Sequence, residues 1–404
     1  MWELIRANKR KSWILFISMG ICLILLGFLI GSYVSEDGGI AGVIIASLIW
    51  LFMSLISMSS GSSILLTMSK AKEVTPEVHP QLFNVVEEMK IAANLPAMPK
   101  IYIINTPAMN AFATGKGPKK SAVAVTAGLL TKLNRDELQG VMAHEVSHIM
   151  NKDVQFMTFA GILLGSIVLI SQVFLRGLIY SGGGRRYSSD SKGGGQAQLI
   201  IMVVAIVFAI LAPIMAQLLY FAISRKREYL ADASAARITR YPEGLASALE
   251  KLSSSTEDLP TANKVTAPMY IVNPLKAKGK KVANLTSTHP PISERVKILR
   301  AMMHGHNASF NDYQKAYKEV RGRSGNIIPG SALKDTESYN IRGAAEGMGA
   351  GMGLKAETRA TGDIMMAVNH YSFKQCDCGL KFKIPENFNK KEITCPKCGK
   401  RIDV

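Results

Sequence analysis

The sequence predicts a mainly α integral-membrane protein carrying a mixed α+β aqueous unit with a small β-sheet, and a compact cysteine-bearing unit at its C-terminal end. Three observations predict it. Four stretches run for membrane-spanning lengths without a charge: Trp13 to Val34, a second within Ile40 to Leu66, Val154 to Leu175, and about Leu199 to Ile223. Between and beyond them lie short β-rich segments and helices with recognisable caps. Four of the five cysteines fall after residue 370.

Each uncharged run meets the requirement of roughly 20 apolar residues to cross a bilayer. A helix buried in a soluble core usually keeps a polar stripe, and these runs do not. Arg6, Lys9, Arg10 and Lys11 precede the first run in the manner of a secretory signal. That run is too long for a signal core and lacks a small-x-small exit, and a second run follows after only Ser35 to Gly39. Residues 1–69 therefore read as a retained transmembrane hairpin.

The net charge of +18 suits either a nucleic-acid partner or loops that lean to one side of an anionic bilayer. The cations flank the apolar runs, at Lys9 to Lys11, at Lys70 and Lys72, and at Arg225 to Arg227, which favours the membrane over nucleic acid. The same charges place the N-terminus and the Lys70 side in the cytoplasm and the Glu36-Asp37 loop outside. One loop disagrees, since Arg176, Arg185, Arg186 and Lys192 lie between the third and fourth runs. Either it is an exception, or residues 153–223 form a shallow hairpin that does not fully cross. Both leave the flanking segments in one compartment.

Residues 70–152 read as the first half of an aqueous domain. Lys100 to Ile104 is a short strand, and Asn110 to Gly115 and Ser121 to Thr126 are two more, joined by a Gly- and Lys-rich turn. Asn134, with Glu137 three positions later, starts a helix as a capping box, and that helix turns Leu138, Val141, Met142 and Val146 toward a core. The second half spans 224–321. It is helical from Glu228 to about Lys251, irregular from Ser253 to Thr288, and helical again after Pro291. Residues 322–370 read as a flexible linker, because Gly, Ala and Met dominate Gly343 to Gly353.

The helix after Asn134 carries His144-Glu145-Val146-Ser147-His148. Residues four apart share a helical face, so His144 and His148 can reach one ion. Neutral imidazoles at this spacing suit a tetrahedral zinc with one position left for water. Bound water has a pKa near 7, within reach of a carboxylate, which makes Glu145 the natural general base. A third ligand is required. Glu228 and Asp232, one turn apart, offer a ligand and a hydrogen-bond acceptor for a ligand histidine. Spacing alone supports equally an exposed helix face salted with Arg227.

His144 to Asp153, followed by Ser224-Arg225-Lys226-Arg227-Glu228-Tyr229-Leu230-Ala231-Asp232, resembles the HtpX-type integral-membrane zinc peptidases, a family that includes the CAAX prenyl proteases. Asn110-Ala111-Phe112-Ala113 and Ser287-Thr288-His289-Pro290-Pro291, with Arg295 soon after, resemble two further family motifs, and the likeness covers roughly residues 1–305. It implies a gluzincin-type α+β metalloprotease domain. It further implies Glu228 as third zinc ligand, Asp232 as its support, and His289 and Arg295 as stabilisers of the oxyanion. Asn110, Ala111 and Phe112 would pair with an extended substrate. The substrates implied are unfolded, damaged or membrane-associated proteins. The expected setting is the inner cell membrane, crossed several times, with the catalytic domain cytoplasmic. The basic third loop and everything after about residue 322 depart from the bacterial pattern.

Residues 371–404 hold Cys376-Asp377-Cys378-Gly379 and Cys395-Pro396-Lys397-Cys398-Gly399. Two close pairs, each followed by glycine, form a zinc-ribbon pattern, and four thiolates leave no open position, so this second zinc is structural. A cytoplasmic position disfavours disulfides. Ribbons of this kind bind protein or nucleic acid partners. A different class of function, a zinc-bound membrane scaffold that recruits partners through its ribbon, needs the ligands but not the base. Glu145 argues against it.

Overall fold

The computed structural model describes the whole chain except residues 1, 36, 181–193, 263–265, 275–288, 304–306, 323–325, 329, 331–332, 334–338, 344–353, 389–391 and 404. Two hairpins of long helices form the membrane layer. The first pairs α1 (Trp2–Val34) with α2 (Gly38–Met68), and the second pairs α6 (Asp153–Tyr180) with α7 (Gly194–Thr239). All four contain segments long and apolar enough to span: Ser12–Val34, Gly38–Met68, Asp153–Leu178 and Leu199–Leu218. Most of the basic third loop lies outside the described residues.

Leu15, Met19, Leu23 and Leu26 are buried along one face of α1, at the three- and four-residue intervals of a helix stripe. The other faces stay apolar and exposed, as at Ile17, Leu51, Leu55, Val173 and Val207, which suits lipid and not water. Small residues let α1 and α2 touch through their backbones. A Cβ on Gly31 would meet the Gly38 oxygen at 2.1 Å, and one on Gly42 the Gly27 oxygen at 2.1 Å. Close approach of this kind replaces the hydrophobic drive that lipid removes.

The aqueous domain contains a four-stranded sheet, β1 (Ala71–Glu73), β2 (Lys100–Ile104), β3 (Ala111–Gly117) and β4 (Lys120–Thr126), in the order β1-β2-β4-β3. β2 and β4 run parallel, with Ile101 opposite Val123, and β3 lies antiparallel on the outer edge of β4. Helices α3 (Pro80–Ala92), α4 (Ala127–Lys132), α5 (Arg135–Met150), α8 (Pro242–Ser254), α9 (Ile292–Met303) and α10 (Phe310–Arg321) pack around it. The predicted capping box starts α5: Asn134 Oδ1 accepts from Glu137 N at 2.9 Å, and Asn134 N donates to Glu137 Oε2 at 2.8 Å. Every residue of α5 from Glu137 to Met150 is buried, so it is the central helix and not a surface one. Gly140 makes that possible, since its bare Cα admits the backbone of α8.

Two features lie where the sequence suggests only a linker. Helix α11 (Leu354–Val368) packs on α4, with Thr361 and Thr131 hydroxyls 2.8 Å apart and Val368 buried. Arg342 donates to Asp136 Oδ1 at 2.7 Å and to Gln139 Oε1 at 2.6 Å, pinning its segment to the start of α5. The physical reason is visible in the chain: after the glycine tract, apolar side chains return at Ile364, Met365 and Val368, a helical stripe that packs on the domain core. Most of Gly343 to Gly353 lies outside the described residues.

The C-terminal unit has two hairpins, β5 (Ser372–Gln375) with β6 (Lys381–Ile384), and β7 (Glu392–Thr394) with β8 (Arg401–Asp403). Gly379 at φ +83° and Gly399 at φ +75° make the tight turns that end each cysteine pair.

Candidate active site

His144 and His148 project from the middle of α5, and Glu228 from α7, ten residues past the end of its apolar segment. α7 is one unbroken helix through Pro213, so the fourth apolar run and the segment holding Glu228 and Asp232 are a single rod. The exposed reading of that face does not hold, as Arg227, Glu228 and Asp232 are all buried.

The donor atoms converge. His144 Nε2 and His148 Nε2 lie 3.2 Å apart, and Glu228 oxygens lie 3.6 Å and 3.4 Å from them. Bonds of about 2.0–2.1 Å to a tetrahedral zinc place neighbouring ligand atoms about 3.3 Å apart, which is the spacing found here. The outer nitrogens are held by carboxylates: His144 Nδ1 is 3.0 Å from Asp232 Oδ1, and His148 Nδ1 is 3.3 Å from Asp153 Oδ2. A proton donated outward on each Nδ1 leaves each Nε2 lone pair directed at the shared centre. Two lone pairs facing one another at that distance need a cation between them.

The electrostatics agree. Burial lowers the pKa of His148, but Asp153 and Glu228 outweigh it and push the group up to about 10. His144 is raised in the same way, with burial opposed by Asp232 and Glu228. Burial raises Glu228, yet His289, His144 and His148 hold it well below the usual carboxylate range. The carboxylates around the two imidazoles thus favour positive charge at this centre. A divalent cation supplies such charge, so the donor set of two imidazoles and a carboxylate fits zinc.

Glu145 differs from its neighbours. Burial raises its pKa, offset only in part by His144, by His148 and by the backbone N–H of Ala113 on β3. Its Oε1 is buried with no hydrogen-bond partner. An unpaired buried carboxylate oxygen next to a metal cluster is an acceptor waiting for a donor the protein does not supply.

Two predicted roles change with the geometry. Arg295, fully buried on α9, donates to both oxygens of Asp232, at 2.8 Å and 2.7 Å, and reaches Glu228 Oε2 at 3.5 Å. It stands against Asp232 and Glu228, holding the support and the third member of the metal-ligand group. His289 Nδ1 lies 2.9 Å from the same Glu228 oxygen. Its motif partners Ser287 and Thr288 lie outside the described residues. The Asn110–Phe112 edge is committed within the fold. Asn110 Nδ2 donates to Val272 O at 2.8 Å, Ile271 N donates to Ala111 O at 2.9 Å, and Phe112 packs edge-on against Tyr270. The chain returning at Ile271 and Val272 thus uses the outward backbone oxygen of Ala111 and the side chain of Asn110.

Sequence reasoning missed Asp153 and Arg227. Arg227 Nη1 donates to Asp153 Oδ1 at 3.0 Å, Nη2 donates to Ser12 Oγ on α1 at 2.7 Å, and the guanidinium lies 3.8 Å over the Phe156 ring. The signal available was an acid five residues after the second histidine, at the first turn of a membrane helix, where a charge needs a partner.

In the ribbon, Cys376 and Cys398 sulfurs lie 3.4 Å apart and those of Cys378 and Cys395 3.6 Å. These gaps exceed a disulfide bond of about 2.05 Å and approach the edge of a Zn–S tetrahedron with about 2.3 Å bonds. The four thiols are free and form a second metal-ligand group.

Comparison with known proteins gives a consistent picture. Residues 76–303 match the model of peptidase family M48. A Protease HtpX homolog from Dictyoglomus thermophilum is 48% identical over 301 residues, covering 74% of this chain and 94% of its own. Homologs of the same name from Listeria monocytogenes and Streptococcus pneumoniae are 44% and 41% identical, each covered over its full length by 75% of this chain. The crystal structure of S. mikatae Ste24p aligns with a TM-score of 0.38 and 19% identity, over 74% of this chain and 67% of that one. M48 peptidases depend on zinc, and the chain has a group able to hold a metal and membrane-length helices to match: it belongs to peptidase family M48 and is a membrane metalloprotease.

Proposed function

We propose that the protein is an endopeptidase that cuts misfolded or membrane-associated proteins at the cytoplasmic surface of the inner cell membrane, using one zinc held by His144, His148 and Glu228. The observation that carries this reading is position. His148 is followed within five residues by the start of α6, and Glu228 is a direct extension of the α7 span, so the cluster sits at the aqueous ends of two membrane helices. Chains leaving or approaching the bilayer meet the site there.

Zinc in this cluster would supply an activated water and polarise the scissile carbonyl. Glu145, whose Oε1 is buried without a partner, would be the general base that accepts a proton there and returns it to the leaving amine. Its raised pKa suits both steps, because a carboxyl that is too acidic holds a proton too briefly to deliver it. Ala113 N–H orients the carboxylate, which ties the base to the edge strand. Asp232 and Asp153 fix the histidine tautomers, and Arg295 acts as a positioning residue through Asp232 and Glu228. The oxyanion role is left to His289. With Asn110 and Ala111 already bonded, an extended substrate would use β3 from Ala113 onward. The cysteine ribbon would hold a second, structural zinc and face the cytoplasm, where it presents a surface for a protein partner.

Glu145→Gln tests the reading against the non-cutting scaffold. On an unfolded membrane protein, the variant should retain its zinc and lose cleavage by at least the 10²–10⁴-fold typical of a general base. Equal cleavage by both proteins, or none by either with zinc loaded, would overturn it.

A further inference from the structure

A cavity of about 410 Å³ lies between α1, α2 and α6, at the end of the membrane layer nearest the metal cluster, and no residue of that cluster lines it. Its walls divide by chemistry. Trp13, Phe16, Met58 and Phe159 make an apolar chamber, while Asn151, Lys152 and Gln155 make its lining polar where α5 gives way to α6. Phe16 stacks on Trp50 at 4.7 Å and meets Phe159 at 4.6 Å between centroids, so the chamber is held open by ring contacts rather than by long flexible chains.

The polar lining carries an independent sign of a ligand. Asn151 is only 3% exposed, and its side-chain Nδ2 is buried without a hydrogen-bond partner. A buried amide donor is ordinarily paired, so this one asks for an acceptor from outside the chain. Lys152, next to it, is exposed and turns the chain at φ +60° between α5 and α6. Two kinds of donor, one neutral and one cationic, thus stand together above an aromatic chamber. The level is that of the membrane surface, since Ser12 and Asp153 begin the first and third spans and Trp13 is an interfacial residue by type.

We propose that this cavity binds one anionic glycerophospholipid, with its phosphate on Asn151 and Lys152 and an acyl chain in the chamber. A volume in the range of small-ligand pockets, donors at the water level and apolar walls below them match an amphiphile with an acidic head. Trp13 and Met58 are more than half exposed on the outer surface of α1 and α2, so the chamber opens to bilayer lipid. A peptide segment would satisfy Asn151 with a carbonyl, but it gives Lys152 no counter-charge. The net charge of +18 favours the anionic occupant as well.

The test counts retained lipid on the full-length protein in detergent, by native mass spectrometry, after incubation with equal amounts of phosphatidylglycerol and phosphatidylcholine. The wild type should keep one phosphatidylglycerol per chain, with at least tenfold preference. Ser54→Phe fills the chamber from α2 at a residue whose hydroxyl bonds only its own helix, at Trp50 O, and should reduce retention at least tenfold. Ser54→Leu serves if the larger ring prevents folding. Lys152→Glu should abolish the preference between the two lipids. Equal retention of both lipids by the wild type, or undiminished retention by the filled variant, would overturn the proposal. So would a photo-crosslinker at Met58 that captures an apolar peptide which phosphatidylglycerol does not displace. Every readout is binding, so the outcome stands apart from whether the protein cuts peptides.

Discussion

Replacing Asp153 by asparagine keeps the size of the side chain and removes a charge that two buried groups share. One oxygen supports His148 Nδ1 at 3.3 Å, and the other accepts from Arg227 at 3.0 Å, with Asp153 itself fully buried. Loss of a carboxylate behind a metal-bound histidine costs about 10–100-fold in metal affinity, or about 1.4–2.7 kcal/mol. The second effect is on folding. Arg227 would keep Ser12 and the Phe156 ring but lose the charge of Asp153, and breaking a buried ion pair costs about 3–5 kcal/mol. Against a total stability of about 5–15 kcal/mol, that is a large fall in Tm. The two effects separate in Asp153→Asn combined with Arg227→Met, which replaces the stranded cation by an apolar chain over Phe156. Stability should return, while zinc affinity should stay low. The assay titrates full-length protein with a graded chelator and measures zinc per chain alongside Tm. If Asp153→Asn releases its first zinc at the wild-type chelator concentration, Asp153 does not support the ligand.

Glu228→Ala should reduce zinc from two per chain to one, as the ribbon metal stays; unchanged stoichiometry by elemental analysis would remove Glu228 from the ligand set. Gly140→Ala would place a Cβ 2.5 Å from Leu245 N, forcing α8 off α5. Overpacking of this kind costs about 1–3 kcal/mol and outweighs a gain in helix propensity of about 1 kcal/mol, so Tm should fall, and a rise would contradict the close contact. Burial raises the Cys395 thiol, but the backbone N–H groups of Lys397 and Cys398 and the neighbouring thiols bring it down to about 7, ready for metal. Cys395→Ser should therefore lose one zinc and keep Glu145-dependent cleavage. Loss of both metals would show that the two sites do not form independently.

What was legible in the sequence followed from short-range rules. The His144–His148 spacing, the Asn134 capping box and the strand at Ser121 to Thr126 each depend on residues a few positions apart, and the structure shows them as local pattern predicts. The four apolar runs were legible because length and lack of charge are properties of one segment. What escaped depends on contacts across the chain. Arg227 looked like surface salt because its partners, Ser12 and Asp153, are far from it in sequence and close in space. Arg295 looked free to face a substrate until Asp232, on another helix, took both ends of its guanidinium. Asn110 looked like an open strand edge because the chain that closes it arrives some 160 residues later. The glycine-rich tract hid α11, whose stripe is recognisable only once α4 provides a surface to receive it.

The long helix that joins the fourth membrane segment to Glu228 has a consequence for the timing of the protein's life. During synthesis His144, Glu145 and His148 emerge first, and Glu228 follows only after both helices of the second hairpin have been made. Arg227, beside Glu228, must also reach Asp153 at the start of the second hairpin, which balances its charge, and Ser12 on the first membrane helix, which accepts one of its N–H groups. A nascent chain would therefore hold His144 and His148 before the residue that completes their group. Formation of the metal-ligand group is thereby tied to assembly of the membrane helices, because the third ligand sits on the rod that spans the bilayer.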